Sequence, residues 1–476
     1  MDTRSMYGRR VITTDVAEIT ADNVVEVLKK AMEDHELNRG EIEYLWKYFK
    51  GDQPILRREK TVRPEICNKI VENRANEIVS FKVGYLCGEP IQYVGRSNDM
   101  TIGESICSLN EYMFIVDKAA LDREVVEWQM IAGTANRMVL DNGAFEKDSD
   151  EAPFEMYTLD PRDSFVVYST DVKHKRMMGV KYNTDDHGFK TYSVYTDKFY
   201  FIIEDDQIKE SDVHGLGAVP IVEYPANNAR LGSFEIVLPL LDSLNNIESN
   251  RMDGIEQFVQ AFVKFINCDI TNEDFEALKD LGAIKVKSTD GQQADVDIVT
   301  NELNQQQTQT LKDDIYKAIL SICGLPSMSD GNTSDSSNNG AVILKNGWQG
   351  AETRAKDSEL MFKRSEKEIL KLVLKLCDGL ADLKVKLKDI DMKFTRRNYD
   401  NIQSKSQVLV TMLSNPKVHP QLAYTSCGMF SDPESAYAMS MKYYEEQMAK
   451  WEPVAVDEND SNVNADNEEK SDVQTG

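Results

Sequence analysis

Residues 235–266 read EIVLPLLDSLNNIESNRMDGIEQFVQAFVKFI, and this stretch predicts one long amphipathic helix. Its apolar residues recur every three or four positions, a spacing that places them on one helical face. They are Val237, Leu241, Leu244, Ile247, Met252, Ile255, Val259, Phe262 and Ile266. A helix over the whole stretch would be about 48 Å long, which is unusual in a globular domain. Pro239 is tolerated in the first turn, whereas Gly254 weakens the middle.

A small mixed module follows this helix. Residues 272–281 predict a helix, and residues 283–287 and 296–300 predict two strands. A second helix at 311–323 ends at the sequence Gly-Leu-Pro of residues 324–326, so the module lies between two helices that can return antiparallel.

A polar loop and a third long helix come next. Residues 327–340 read SMSDGNTSDSSNNG, with two acids and no base, which predicts a flexible loop. A long amphipathic helix is predicted at about 341–378, and residues 382–394 alternate as a strand.

The first 233 residues predict helices followed by an antiparallel sheet. The helices are expected at 21–50, from Pro64 onward and at 103–133, with a turn-rich stretch at 84–90. Short strands are expected at 91–94 and 136–140. From residue 152 onward, period-two alternation predicts strands of an antiparallel sheet at 154–159, 164–168, 177–182, 191–195 and 199–203. The unit is therefore of the α+β class and not a run of βαβ repeats.

The C-terminal region predicts three helices and a tail. The helices are expected at 402–414, 419–427 and 433–450. Residues 451–476 carry eight acids and one lysine without an apolar period, which predicts disorder.

Composition excludes several classes of protein. The chain has 476 residues, of which 41% are hydrophobic, so neither a collagen-like nor a wholly disordered chain is expected. The net charge of −26 argues against a protein that wraps DNA tightly, because that affinity comes from Lys and Arg. No apolar run has the length of a membrane span, and no apolar stretch at the N-terminus predicts a signal peptide.

Motifs for catalysis, metals and cofactors are absent from the sequence. The seven cysteines form no Cys-x-x-Cys pair, which indicates reduced thiols in a cytosolic compartment. No phosphate-binding loop, zinc-protease motif or nucleophile elbow occurs. Asp185-Asp186-His187 and the pairs Asp295/Asp297 and Asp389/Asp391 are better explained as solvated turns and strand faces than as cation sites. We therefore expect no enzyme, no metal and no cofactor.

Basic residues on the third long helix are expected on a solvated face. They include Lys345, Arg354, Lys356, Lys363, Arg364 and Lys367. Acids at helical spacing would pair with them, namely Glu352, Asp357, Glu359, Glu366 and Glu368.

Several stretches carry a resemblance to a known family. They are YFKG at 48–51, NKIVEN at 68–73, GYLCGEPI at 84–91, DPRDSFVVY at 160–168, and VPIVEYPANN at 219–228 running into LDSLN at 241–245. Each is weak alone, but their order and the helix–module–helix–loop–helix layout are specific. The chain resembles the portal proteins of tailed double-stranded-DNA bacteriophages, of the siphovirus type.

This resemblance implies a ring of about twelve copies around a channel at one capsid vertex of the virion, assembled in the host cytoplasm. Double-stranded DNA would be packaged and ejected through it. The terminase large subunit and then a head-completion or adaptor protein would dock on it, and major capsid and scaffolding proteins would surround it. By position, the subunit would divide into a wing at 1–233, stem helices at 234–266 and 304–326, a clip at 267–303, a tunnel loop at 327–340, a long helix and returning wing strand at 341–400, a crown at 401–450 and the tail at 451–476.

The resemblance also implies site residues. The tunnel loop facing DNA would comprise Ser329, Asp330, Gly331, Asn332, Thr333, Ser334, Asp335, Ser336, Ser337, Asn338 and Asn339. The clip would meet terminase or the adaptor through Lys279, Lys285 and Lys287. The first stem helix would line the channel with Glu248, Asp253 and Glu256, since a negative wall repels phosphates and favours sliding.

Three alternatives stay open at this level. The chain could be another capsid component, such as a minor head or connector protein, or a DNA-packaging enzyme. A module that binds host proteins through its acidic surface is the third.

Overall fold

The computed structural model describes most of the chain, in two units that are treated separately: Met1–Asn398 and Tyr399–Gly476. The described residues are 8–96, 100–143, 145–146, 150–259, 262–266, 268–269, 287–288, 295–299, 305–326, 347–378, 383–396, 402–430 and 433–451. Helices and sheets occur together, as the sequence predicts for an α+β protein.

Seven helices of eight or more residues are described in the first unit. They are α1 (Val24–Lys50), α2 (Arg74–Cys87), α3 (Met100–Ile115), α4 (Lys118–Ala132), α5 (Leu238–Val259), α6 (Gln305–Cys323) and α7 (Trp348–Leu376). Gly51 ends α1 because its φ of 100° belongs to the left-handed region, which glycine adopts without strain. The single helix predicted over 103–133 is divided between α3 and α4, since Asp117 also has a left-handed φ, of 51°.

The larger sheet has six strands in the order β1-β5-β6-β7-β8-β9. These are β1 (Ile12–Thr14), β5 (Ser164–Ser169), β6 (Arg176–Thr184), β7 (Lys190–Tyr195), β8 (Phe199–Glu204) and β9 (Gln207–Val213). The hairpin strands pair antiparallel, and β1 adds to the edge in parallel with β5. Its inner face packs on the first half of α1 around Val24, Leu28 and Val180.

A second, three-stranded sheet has the order β10-β3-β4, formed by β3 (Thr134–Asp141), β4 (Phe154–Leu159) and β10 (Ile221–Pro225). The single antiparallel sheet predicted from 154 to 203 is therefore wrong, because β4 pairs with β3 in this other sheet. The main apolar core lies between this sheet and helices α1, α2, α4 and α7.

Three small strand pairs complete the first unit. Strand β2 (Gln92–Gly95) pairs with β15 (Ile390–Lys393), β11 (Phe262–Ile266) with β14 (Asp295–Val299), and β12 (Cys268–Asp269) with β13 (Lys287–Ser288). The strand predicted over 382–394 is thus confined to its last residues.

The helix predicted over 235–266 is shorter than expected. A 3-10 turn at Glu235–Val237 leads into α5, which ends at Val259 and is about 33 Å long. Residues 262–266 form a strand instead, because the sequence Phe-Val-Lys-Phe-Ile is rich in aromatic and β-branched residues that a paired strand accommodates well.

Helix α2 also differs from the prediction. It begins at Arg74 and not near Pro64, and it continues through the stretch expected to be turn-rich until Cys87. The side chain of Asn73 caps it by accepting a hydrogen bond from the amide of Asn76.

The described part of the second unit contains three helices, as predicted: α8 (Ile402–Leu413), α9 (Pro420–Cys427) and α10 (Pro433–Trp451). Helix α9 packs against both others and contributes the buried residues Ala423 and Cys427. Pro420 occupies the first turn of α9, where its missing N–H costs nothing.

Candidate functional site

The candidate site is built on helices α5 and α6, which pack against each other as an antiparallel pair. The Nζ atom of Lys312 lies 2.5 Å from the Oε1 atom of Glu248. One turn further along α5, Arg251 donates to the Oε1 atom of Gln309, at 2.8 Å. Because the positions advance along α5 as they recede along α6, the two helices run in opposite directions.

A salt bridge to a third segment strengthens this contact. Lys312 also lies 3.3 Å from a carboxylate oxygen of Glu72. Burial alone would lower the pKa of Lys312, but the hydrogen bond to Glu248 and the charge of Glu72 raise it above its usual value. The charged Lys312 of α6 therefore links α6 through ion pairs both to α5 and to the chain that precedes α2.

Residues 58–73, hereafter the supporting segment, lie along α5 without regular structure. Three alternate backbone amides of this segment donate to side chains of α5. The amide of Asn68 donates to Asp253 (2.7 Å), that of Ile70 to Ser249 (3.0 Å), and that of Glu72 to Asn245 (2.8 Å). Two of these acceptors, Ser249 and Asn245, are fully buried.

The spacing of the acceptor side chains on α5 matches the spacing of the donor amides on the supporting segment. Acceptors four residues apart on a helix are separated by about 6.0 Å along its axis. Amides two residues apart on an extended chain are separated by about 6.6 Å and point to the same side. A polar side chain on every fourth residue of α5 can therefore satisfy every second amide of the supporting segment, so the helix serves as its pairing partner.

Asp253 is the acceptor nearest the C-terminus of α5 in this set of three hydrogen bonds, hereafter the ladder. Besides the backbone of Asn68, its carboxylate accepts from the Asn68 side chain at 3.0 Å and forms ion pairs with Arg58 at 3.0 Å and Lys60 at 3.1 Å. Burial alone would raise the pKa of Asp253, but these donors and charges hold it below its usual value. The residue is 4% exposed, so its charge is already compensated inside the subunit.

Toward the C-terminal half of α6, the α5–α6 pair contacts α2. Tyr316 of α6 donates to Glu77 at 2.8 Å, and the guanidinium of Arg74 lies over the Tyr316 ring at 4.2 Å. Arg74 also contacts Glu77 at 2.7 Å. The α5–α6 pair is thus fixed to the body of the subunit at several heights.

A buried carboxylate fixes the long helix α7. Glu366 is fully buried, and its oxygens lie 3.2 Å from both Arg137 and Lys118. The hydroxyl groups of Tyr93 and Tyr224 donate to it. Burial alone would raise the pKa of Glu366, but the two cations and the two donors lower it, to about 2.

Asp122 completes this cluster and balances its charge. It lies 2.6 Å from Lys118 and 2.8 Å from Arg137, so two acids face two bases in the interior. The expectation that Glu366 lies on a solvated face of the helix is therefore wrong, whereas Asp357 on the same helix is exposed as expected.

The predicted channel-lining residues separate into three situations. Glu248 is engaged by Lys312, Asp253 is enclosed by the supporting segment, and Glu256 is half-buried. Among the described residues, Glu256 has no ion pair. A carboxylate enclosed like that of Asp253 is not presented to a channel, so we retain only Glu248 and Glu256 as wall candidates.

The remaining predicted site residues lie largely outside the described part. The tunnel loop, Lys279 and Lys285 lie outside it, as does the tail after residue 451. For Lys287 the backbone is described, and it pairs with Asp269 in the β12–β13 ladder. These site assignments stay predictions.

Asn245 and Ser249 were missed in the sequence. Their signal was present, because Asn245, Ser249 and Asp253 recur every four residues, and a polar line with that spacing indicates a helix face that binds backbone. Within the described residues, no group of acidic, histidine or cysteine side chains could hold a metal ion, and none of the helices is long and apolar enough to cross a membrane.

Comparison with protein families identifies a match. A family model described as phage portal protein, SPP1 Gp6-like, matches residues 28–458, from within α1 to beyond the end of α10. No curated protein matches the sequence.

Proposed function

The chain belongs to the SPP1 Gp6-like family of phage portal proteins, which serve in phage DNA packaging, and we propose that α5 and α6 are the stem of its DNA channel. The support is the antiparallel pair itself, with the small strand pairs β11–β14 and β12–β13 inserted in the chain between the two helices. A stem of two helices that presents a small clip at its tip has this order of elements.

The proposed assembly is a ring of about twelve copies at a capsid vertex. Homo-oligomers with closed symmetry leave an axial opening when the subunits meet head to tail, which is the geometry that a conduit needs. The first-unit body would form the wing and the three helices α8–α10 the crown. Terminase, a head-completion protein, and the capsid and scaffolding proteins would be its partners.

The chemistry of the proposed channel is passive. DNA is moved by a separate motor, so the subunit needs surfaces along which phosphates slide and no catalytic group. Glu256, together with the partly compensated Glu248, would supply weak repulsion from the wall. The polar loop of residues 327–340 would make brief hydrogen bonds to phosphates without strong ion pairs.

The clip would carry the contacts to the motor and to the adaptor protein. We propose Lys279, Lys285 and Lys287 for this role, as the basic residues of the module between the stem helices. The order of elements supports the assignment, because these three lysines lie in the chain between the two proposed stem helices, α5 and α6.

Mass photometry of the purified protein, followed by electron-microscope class averages, tests the assembly. Twelve copies of the 54.0 kDa chain have a mass of about 650 kDa. A particle near that mass with an axial opening supports the proposal. A monomer that stays a monomer when co-expressed with capsid and scaffolding proteins would refute it. ATP hydrolysis by the isolated protein would favour the packaging-enzyme alternative instead.

A further inference from the structure

A cleft of the first unit lies at the junction of α7 with the six-stranded and three-stranded sheets and has a volume of about 670 Å³. Its walls are the turn between β5 and β6, the loop at 217–219, strand β10 with the loop that follows it, and one face of α7. Cavities that enclose a specific ligand have volumes of about 300–1,000 Å³.

The floor of the cleft is a satisfied ion pair. Glu223 accepts two hydrogen bonds from Arg230, at 2.6 and 2.9 Å, and one each from Thr134 and Tyr168. Burial alone would raise the pKa of Glu223, but these donors and the Arg230 charge lower it. The carboxylate therefore stays ionised and compensated, and it offers nothing to a ligand.

One wall is satisfied in the same way. Arg176 lies 3.1 Å from Glu368 and donates to the carbonyl oxygens of Val219 and Ile221, each at 3.2 Å. The guanidinium of Arg176 is thus already engaged by one carboxylate and two backbone carbonyl groups of the protein.

Weakly paired positive charge remains at the rim. Lys173 and Arg364 are exposed and line the cleft from different elements, and neither the ammonium nor the guanidinium group forms an ion pair among the described residues. Lys175 forms a long ion pair with Asp197, at 3.6 Å. Five basic and three acidic residues line the cleft, so it carries two excess positive charges on a chain whose net charge is −26.

We propose that this cleft binds an acidic peptide segment of a partner protein, whose carboxylates pair with Lys173 and Arg364. Charge complementarity supports an anionic ligand. Met361, Val219 and Pro225 supply apolar contacts for side chains between the carboxylates. A DNA duplex is a poorer fit, because binding its rows of phosphates needs many cations and the cleft has only two excess positive charges.

Fluorescence anisotropy with the full-length protein tests this assignment. The probe is a fluorescein-labelled peptide of alternating glutamate and leucine, and the same peptide with glutamine in place of glutamate is the reference. We expect the glutamate peptide to bind more tightly, and added salt to weaken it. The double variant Lys173→Glu, Arg364→Glu should reduce its affinity at least about tenfold.

The matched control is Lys209→Glu, Lys388→Glu, which changes the net charge equally at exposed lysines that do not line the cleft. It should leave the affinity nearly unchanged. The neutral pair Lys173→Ala, Arg364→Ala should give an intermediate loss, and thermal unfolding of all variants verifies that they fold.

Four results would overturn the proposal. The cleft variant could bind the peptide as well as the control does, or the glutamine peptide could bind equally well. A DNA duplex could compete for the cleft better than the acidic peptide. A change in oligomeric mass of the cleft variant alone would assign the cleft to a second copy of this chain. The peptide affinities can be measured whether or not the unmodified protein forms a ring.

Discussion

Replacing Ser249 with alanine tests whether α5 pairs with the supporting segment. The substitution removes one hydroxyl group from a fully buried position and leaves the amide of Ile70 without its acceptor at 3.0 Å. The side-chain volume changes little, so the effect reports the hydrogen bond and not a cavity. Ser249 is the middle contact of the three, so its neighbours hold the segment in place.

The expected cost follows from the burial. A buried N–H group that loses its only acceptor costs about 1–2 kcal/mol. That free energy corresponds to a change of about five- to thirtyfold in the local opening equilibrium. The amide of Ile70 should therefore exchange with solvent faster by this factor, and the amides of Asn68 and Glu72 by less.

Hydrogen–deuterium exchange resolved to single residues measures this. In the unmodified protein, the amides of Asn68, Ile70 and Glu72 should exchange slowly. Those of Lys69 and Val71, which have no acceptor among the described residues, should exchange quickly. The control is Ser243→Ala on the same helix, because the Ser243 hydroxyl donates only to the carbonyl of Pro239, four residues earlier.

Three results would refute the reasoning. Equal exchange rates for alternate amides in the unmodified protein would show that the ladder does not form. An unchanged Ile70 rate in the Ser249→Ala variant would show that the hydroxyl group does not hold this amide. A similar effect from Ser243→Ala would attribute the change to the helix itself.

Four further predictions concern other parts of the chain. Glu366→Gln should lower the free energy of unfolding by about 3–5 kcal/mol in urea titrations, since Asp122 alone then faces two buried cations and one positive charge is left uncompensated. The exposed Asp357→Gln change should be nearly neutral. Burial lowers the pKa of His35 to about 4, so the unfolded chain binds the extra proton between about pH 6.5 and 4. As the pH decreases from about 6.5 to 4, the free energy of unfolding should therefore decrease by about 3 kcal/mol more in the unmodified protein than in His35→Gln. An equal pH dependence of the free energy of unfolding in the two proteins would contradict this. Deleting residues 330–339 should leave the oligomer intact and reduce packaged DNA, and normal packaging would refute the loop's role. Reversing the charges of the proposed clip lysines, Lys279, Lys285 and Lys287, should weaken terminase binding in a pull-down. Undiminished binding and packaging would contradict the assignment of these lysines.

Local patterns explain why much of the fold was predictable. Strand β4 has the predicted bounds, and the helices of the second unit were placed within one residue, because period-two and period-3.6 patterns and proline breaks act over a few residues. One error occurs where the two patterns coincide. Phe262–Ile266 satisfies both a helical stripe and a strand, and only its pairing with Asp295–Val299 decides between them.

The sequence by itself determined the class of the protein: an acidic α+β chain without catalytic motifs, whose helix–module–helix order and scattered motifs resemble phage portal proteins. Tertiary structure alone decided which charged side chains are exposed to solvent and which are buried in ion pairs. The sequence pattern predicts that Asp253 and Glu366 are surface acids. Their charged partners, however, are more than 180 residues away along the chain for Asp253 and more than 220 for Glu366. A charge is costly to bury unless a partner is present, and which distant residues meet is a property of packing that no local pattern contains.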